Sequence, residues 1–447
     1  MFGLGLVLMV FGVVFNVSYA PTHGQDFAKW YFPAAERFAA RQNLYVISGD
    51  VFRLREAEQG ILPPIHIPAN TYPPLHAALI TPLLPLGLPL AQYTFMLLSL
   101  AVFSVGLWQL MKVATPWSRS ARTLAIGLAM CASSVRWSSA QYQYSLAAVG
   151  LVCLVMYTEL TNRRLATVVY MTLCVKFTML LPVVAVLLFR RKIGTLVAAG
   201  ALTAALNLAC FAWMGFLPAV AGWRLSVDNY VVVNGLNYPS VSTFVARLNG
   251  DAARASEPPG ITLYPKFDYY YYPEHTHWVL LMTALTPTFA VATTVAGVLV
   301  AGVASVLAVL GWRLRDRWND RETVLRWFMV WSCFGMVAVT HLKYDLVVLV
   351  PVCYVAMALA AAHKDFPDRA LALAAFVASF GLVARMANVW IFKLAAPLKL
   401  YWLVPFYVYI ATLVFGLSLW GLARAASGVT AIPSSTKSSS STSSLDV

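Results

Sequence analysis

The chain has 447 residues, of which 60% are hydrophobic and only 11% are charged, and its mean hydropathy is +0.71. Soluble domains carry about 25% charged residues, so this composition excludes a set of soluble domains. The chain has 32 Lys and Arg residues against 18 Asp and Glu residues, a net charge of +14. In membrane proteins such an excess marks cytoplasmic loops, so we expect no nucleic acid as a partner. We predict an all-α polytopic integral membrane protein.

The first apolar run covers residues 1–20, and a membrane-spanning helix takes about 20 apolar residues. Its end resembles a signal-peptidase site, but no basic segment precedes it, so we favour a retained helix over a cleaved signal. Either outcome places the residues from Pro21 onward outside. Further spans are predicted at 88–111, 122–136, 144–161, 193–215, 286–312, 325–340, 346–362, 370–388 and 400–423.

The segment 165–189 lies between two basic clusters, 163–164 and 190–192. Both clusters favour the cytoplasm, whereas a single crossing would place them on opposite sides. We therefore predict a hairpin of two short helices with its tip near Lys176. Such helices are stable only when they are buried in protein or line a wet cavity. The total is about twelve membrane segments, with both termini inside.

The predicted organisation is one transmembrane domain over residues 1–423. It carries two long outer loops, 21–75 with interfacial helices and 216–276. Residues 424–447 are rich in Ser and Thr, a composition typical of a disordered tail, here cytoplasmic.

Asp26 follows the first apolar run by six residues and precedes a mixed aromatic and charged segment. A carboxylate just outside the bilayer is well placed to act as a general base on a membrane-bound substrate. The alternative is a helix N-cap, a position that Asp favours. Among the other outer carboxylates, Asp345 is the second choice for a base.

Four further polar clusters fall on the same predicted side of the membrane. Each has a structural alternative. For Tyr72 it is a loop-to-helix transition, and for Arg136 with Gln141 it is a water-facing turn. For Lys176 it is a lysine that snorkels to the headgroups, and for the cluster at His341 it is a tight polar turn. Because all of them share one side with Asp26, we expect one outer cavity. The clusters are Tyr72 in Tyr-Pro-Pro-Leu, Arg136 with Gln141, Lys176, and His341 with Lys343, Tyr344 and Asp345.

Several motifs are absent from the sequence. It has no Gly-rich phosphate loop and no Asp-x-Asp, and its six cysteines all lie in apolar runs without metal spacing. We therefore expect no cofactor and no metal, and a sugar donor carried by the membrane rather than by a nucleotide.

The order of these motifs resembles glycosyltransferase family 87, within the GT-C superfamily of polytopic glycosyltransferases. The resemblance implies a GT-C-like bundle and an inverting, metal-independent hexosyltransferase at the outer face of the plasma membrane. Its donor would be a polyprenyl-phosphate sugar, with mannose as the expected sugar, and its acceptor a lipid or glycan. The motifs are Asp-Phe-x-x-Trp-Tyr from residue 26, Asn-Leu-Tyr at 43–45, Tyr-Pro-Pro-Leu at 72–75, Gln141, Lys176, and His341-x-x-Tyr344-Asp345.

The resemblance also implies roles for individual residues. Asp26 would be the catalytic base, and His341 would assist departure of the phosphate. Substrate-binding roles fall to Lys176, Gln141, Tyr72, Lys343, Tyr344 and Arg136. Two other classes stay open, a transporter or flippase for a lipid-linked solute and a polymerase or ligase of surface polysaccharide.

Overall fold

The computed structural model describes residues 1–19, 26–45, 72–224, 226, 282, 289–339, 343–381 and 406–427. Every regular element in these ranges is helical. This confirms the predicted all-α class for the described part of the chain. Most of both long loops, and the tail from residue 428, lie outside the described residues.

The helices are numbered in chain order. They are α1 (Phe2–Tyr19), α2 (Phe32–Ala39), α3 (Leu75–Ile80), α4 (Gly87–Ala114), α5 (Arg119–Met130), α6 (Ser133–Ala140), α7 (Ser145–Leu160), α8 (Arg164–Leu173), α9 (Leu181–Phe189), α10 (Ile193–Trp213), α11 (Phe289–Arg313), α12 (Arg321–Ala338), α13 (Leu349–His363), α14 (Phe366–Phe376) and α15 (Phe406–Ala426).

Within the described ranges, five helical stretches are long and apolar enough to cross a membrane. Their length and composition support a membrane protein, whereas the count of about twelve segments stays a prediction. The stretches are Leu75–Ala114, Ile193–Trp213, Thr294–Arg313, Asp345–His363 and Tyr407–Ala426.

Helices α4 and α7 lie side by side and run in the same direction. The Phe95 and Tyr144 rings meet at 5.2 Å. Further along, a Cβ atom added to Gly106 would lie 2.1 Å from the Gly150 carbonyl oxygen. Glycine permits this approach, and small residues are what let helices associate closely in lipid. The C-terminal ends of α4 and α7 therefore lie at the same end of the bundle.

The predicted single span 122–136 is wrong, because the chain breaks there into α5 and α6. Ala132 is extended, with φ −64° and ψ 139°. The α6 sequence, Ser-Ser-Val-Arg-Trp-Ser-Ser-Ala, is too polar to continue an apolar span. Its Ser133 hydroxyl instead donates to the Ser379 carbonyl oxygen at 3.2 Å, which ties α6 to the turn after α14.

Helices α8 and α9 are separated by a break at residues 174–176 and a 3-10 turn, Phe177–Leu180. Pro182 lies in the first turn of α9, where its missing N–H leaves no intrahelical hydrogen bond unmade. Two short helices with a break at Lys176 are the arrangement that the charge pattern predicts.

The two basic clusters lie together. Beyond α9, Arg190 Nη1 lies 2.9 Å from Glu159 Oε1 at the end of α7, and it donates to the Glu159 carbonyl oxygen, also at 2.9 Å. Clusters 163–164 and 190–192 thus occupy one end of the bundle, which we call the basic end. This agrees with the hairpin, because a single straight crossing would separate them.

A second buried ion pair lies at the basic end. Arg326 in α12 donates to both carboxylate oxygens of Asp368 in α14, at 2.7 and 2.8 Å. The Trp327 ring stacks on Phe189 at 5.0 Å, which places this pair beside the end of α9. Such two-point geometry offsets the desolvation cost of a buried pair.

Cysteine labelling in intact cells tests this arrangement. Arg163→Cys and Ile193→Cys should react alike with a membrane-impermeant maleimide, because both lie at the basic end. Leu217→Cys should react oppositely. Its neighbour Pro218 accepts a hydrogen bond at 2.9 Å from Asn43, in the segment that follows Asp26. Opposite labelling of positions 163 and 193 would make the segment between them a single crossing.

Candidate active site

Asp26 lies at the end of the bundle opposite the basic end. It precedes a π-helical turn, Phe27–Tyr31, and has φ −71° and ψ −39°. Its side chain makes no capping hydrogen bond to that turn. Its Oδ2 atom instead accepts a hydrogen bond from Gln143 Nε2. The N-cap alternative is therefore not supported, and the carboxylate faces the turn between α6 and α7.

The position of Gln143 follows from how α6 ends. Tyr142 has φ +50°, and the N–H groups of Tyr142 and Gln143 donate back to the carbonyls of Ser139 and Ser138, both at 3.0 Å. This is a Schellman ending. It directs the Gln143 side chain into the protein, where it is buried, while Gln141 at the C-cap stays half-exposed.

Gln143 clamps two residues of the first loop. Its Nε2 atom donates to Asp26, and its Oε1 atom accepts from the Tyr31 hydroxyl at 3.1 Å. A buried amide with both ends engaged fixes the orientation of its partners. The Asp26 carboxylate, which is half-exposed, is therefore held in place and remains accessible.

An aromatic wall adjoins this clamp. The Tyr31 ring lies 4.8 Å from Tyr144 and 5.8 Å from Tyr72, and Tyr72 lies 5.4 Å from His76. Tyr45 donates to the Tyr72 carbonyl oxygen at 2.8 Å. Burial raises the pKa of Tyr45, so its phenol remains a donor at neutral pH. Rings arranged in this way suit the apolar face of a sugar or a prenyl chain.

Lys176 at the hairpin tip is paired with Asp345. Lys176 Nζ lies 2.5 Å from Asp345 Oδ1 and donates to the Ser145 hydroxyl oxygen at 2.9 Å. Ser145 also donates to Asp345 Oδ1, at 2.5 Å. All three residues are buried, so the ammonium group does not snorkel to the headgroups. Asp345 is thereby engaged by a cation and is a poor second choice for a general base.

Three consecutive residues join these parts. Gln143 holds Asp26, Tyr144 belongs to the aromatic wall, and Ser145 binds both members of the Lys176–Asp345 pair. The structure therefore brings Asp26, Tyr72, Lys176 and Asp345 to one end of the bundle, as their predicted common side requires.

The other predicted site residues are placed as follows. The Arg136 guanidinium carbon lies 4.4 Å from the centre of the Phe15 ring in α1. His341 lies outside the described residues, and so do the side chains of Lys343 and Tyr344, whose backbone begins the 3-10 turn Lys343–Val348.

Sequence reasoning missed Gln143 and Ser145. Residues 141–145, Gln-Tyr-Gln-Tyr-Ser, alternate polar and aromatic side chains, but this pattern does not indicate which of the two glutamines points inward. Among the described residues, no group of three or more His, Cys, Asp and Glu side chains is placed to hold a metal ion.

Breaking the Lys176–Asp345 pair should be costly. Lys176→Met leaves Asp345 buried without its cation and should lower stability by about 3–5 kcal/mol. Combining it with Asp345→Leu should cost less than the sum of the single changes, since no unpaired charge is left. Thermal unfolding in detergent measures this, with exposed Lys112→Met as the neutral control. Additive losses would show that the two residues are not coupled.

The chain matches glycosyltransferase family 87 over residues 70–250. The matched region contains Tyr72, Gln143 and Lys176, whereas Asp26 precedes it. No curated protein and no solved structure matches the chain. The family match confirms the resemblance predicted from the sequence motifs, and together with the long apolar helices it supports a membrane glycosyltransferase.

Proposed function

We propose that this protein is an inverting hexosyltransferase that moves a mannosyl residue from a polyprenyl-phosphate donor to a lipid or glycan acceptor. The observation that carries the proposal is the Asp26 carboxylate, half-exposed beside an aromatic wall and held by the buried Gln143 amide. A fixed, accessible carboxylate next to apolar rings suits proton removal from a sugar or lipid hydroxyl.

In the proposed step, Asp26 accepts the proton of the acceptor hydroxyl. The acceptor oxygen attacks the anomeric carbon from the face opposite the phosphate, so the configuration inverts. The bond between the anomeric carbon and the phosphate oxygen breaks, and polyprenyl phosphate leaves with the bonding electrons. Nearby cations must stabilise the negative charge on this departing phosphate.

The pairing of Lys176 changes the role that we give it. Its ammonium group is engaged by Asp345 and Ser145, so we propose that it anchors the 3-10 turn that begins at Lys343 instead of binding the donor phosphate by itself. In this proposal His341 and Lys343, the first residue of that turn, supply the positive charge, with Arg136 as a further cation.

The distribution of basic residues indicates which end of the bundle faces the cytoplasm. Clusters 163–164 and 190–192 mark the basic end, and short basic loops favour the cytoplasm. We therefore propose that the Asp26 end faces outward from the plasma membrane. A lipid-carried donor suits that side, and membrane lipids are then direct partners.

The transporter alternative draws support from the break between α8 and α9, since discontinuous helices line transport sites. Such sites lie near the middle of the bilayer. Here the buried Lys176 contacts Ser145, the first residue of α7. The charged pair thus lies at an end of the helix bundle, which favours an enzyme site.

Asp26→Asn should separate catalysis from structure. Asparagine keeps the size of the side chain but cannot accept the proton at neutral pH, so turnover should fall by about 10²–10⁴-fold while donor binding stays near normal. Glu36→Gln in α2 changes an exposed carboxylate of the same loop and should be fully active. An Asp26→Asn enzyme with wild-type turnover would remove the base assignment.

Gln143 and Gln141 form a matched pair for a second test. Gln143→Leu releases Asp26 and Tyr31 and should lower turnover by about tenfold to a hundredfold through mispositioning of the base. Gln141→Leu, in the same turn, should have little effect on positioning.

In the Asp26→Asn background the Gln143→Leu change should cost little further turnover, because the base that it positions is already lost. An equal loss in both backgrounds would instead mean that Gln143 only supports the fold.

A further inference from the structure

A polar cavity of about 240 Å³ lies at the basic end, away from the Asp26 site. At roughly 30 Å³ for each water, it has room for about eight waters or for one esterified phosphate group. It is formed where α7 ends and where α8 and α10 begin. Its lining is Glu159, Asn162, Arg164, Arg191, Lys192, Gly194 and Thr195.

The charges around this cavity favour an anion. Three cations line it, Arg164, Arg191 and Lys192, against a single carboxylate. That carboxylate, Glu159, already has Arg190 at 2.9 Å. Among the residues that the structure describes, the cavity therefore has an excess of positive charge, and the first turn of α10 adds N–H groups that favour negative charge.

The surface beside the cavity is apolar. Leu165 follows Arg164 and is 78% exposed, and Ile193 and Val197, one turn apart on α10, are 50% and 63% exposed. Aliphatic side chains next to a cationic cavity match a molecule with a charged headgroup and acyl chains. A freely soluble phosphate has no apolar part that could pack against these side chains.

We propose that this cavity binds the headgroup of an anionic phospholipid, with the phosphate held by Arg164 and Lys192 and the acyl chains along Leu165 and Ile193. The site lies at the far end of α7 from Asp26, about 24 Å away along a 16-residue helix. The inference therefore does not depend on the proposed reaction.

Native mass spectrometry of the purified full chain in detergent tests the proposal, with phosphatidylglycerol and phosphatidylcholine titrated separately. Phosphatidylglycerol should bind more tightly. Because each basic residue near a headgroup is worth about fivefold in affinity, Arg164→Ala should weaken phosphatidylglycerol binding about fivefold, and Arg164→Ala with Lys192→Ala about 25-fold.

Arg163→Ala is the matched control. This residue is the neighbouring arginine with the same charge, but its guanidinium carbon lies 5.8 Å from the centre of the Tyr157 ring and it does not line the cavity. Its lipid affinity should equal that of the wild type. If Arg164→Ala alters folding, Lys192→Ala alone should still give its fivefold loss.

Three results would overturn the proposal. These are equal binding of the two lipids, equal losses in Arg163→Ala and Arg164→Ala, and displacement of bound phosphatidylglycerol by soluble glycerol phosphate at millimolar concentration. The last result would show that the cavity binds a free phosphate ester instead of a membrane lipid.

Discussion

The hydrogen bond between Gln143 and Asp26 joins the first loop to the helix bundle. The carboxylate follows α1, and the amide comes from the turn before α7, more than a hundred residues later. Because Gln143 also accepts from Tyr31, the clamp fixes both a potential base and one side of the aromatic wall. The geometry of the candidate site depends on this single buried side chain.

The hairpin explains how a lysine comes to be buried at one end of the bundle. Helix α7 rises about 24 Å over its 16 residues. The ten residues of α8 rise about 15 Å of that distance, and the non-helical residues 174–176 carry the chain further. Lys176 therefore arrives beside Ser145, at the start of α7, where Asp345 neutralises it. Backbone that is not helical is tolerated at this depth because it is buried in protein.

Much of the fold could be predicted because membrane insertion leaves clear marks in a sequence. Apolar length predicts helices, and the basic clusters 163–164 and 190–192 indicate the reversal between them. The sequence does not reveal the break after α5, because the polarity of the chain rises only gradually across residues 122–136. Such a gradual change does not distinguish a helix that breaks from one that continues.

The candidate site could be predicted only in part, for a different reason. Asp26, Tyr72 and Lys176 were found because polar groups near a membrane are conspicuous. The choice of Gln143 over Gln141 depends on the left-handed conformation of Tyr142, and the pairing of Asp345 with Lys176 depends on contacts across 169 positions of sequence. Neither can be read from local pattern.

The most direct test of the central claim is transfer from a defined donor by the purified protein in vesicles. Polyprenyl-phosphate mannose labelled in the sugar would be supplied with a membrane lipid extract as acceptor and without any nucleotide sugar. The account predicts that label passes to the acceptor and that an equal amount of polyprenyl phosphate is released. Transfer from a nucleotide sugar alone, or none from the mannose, arabinose or glucose forms of the lipid donor, would contradict it.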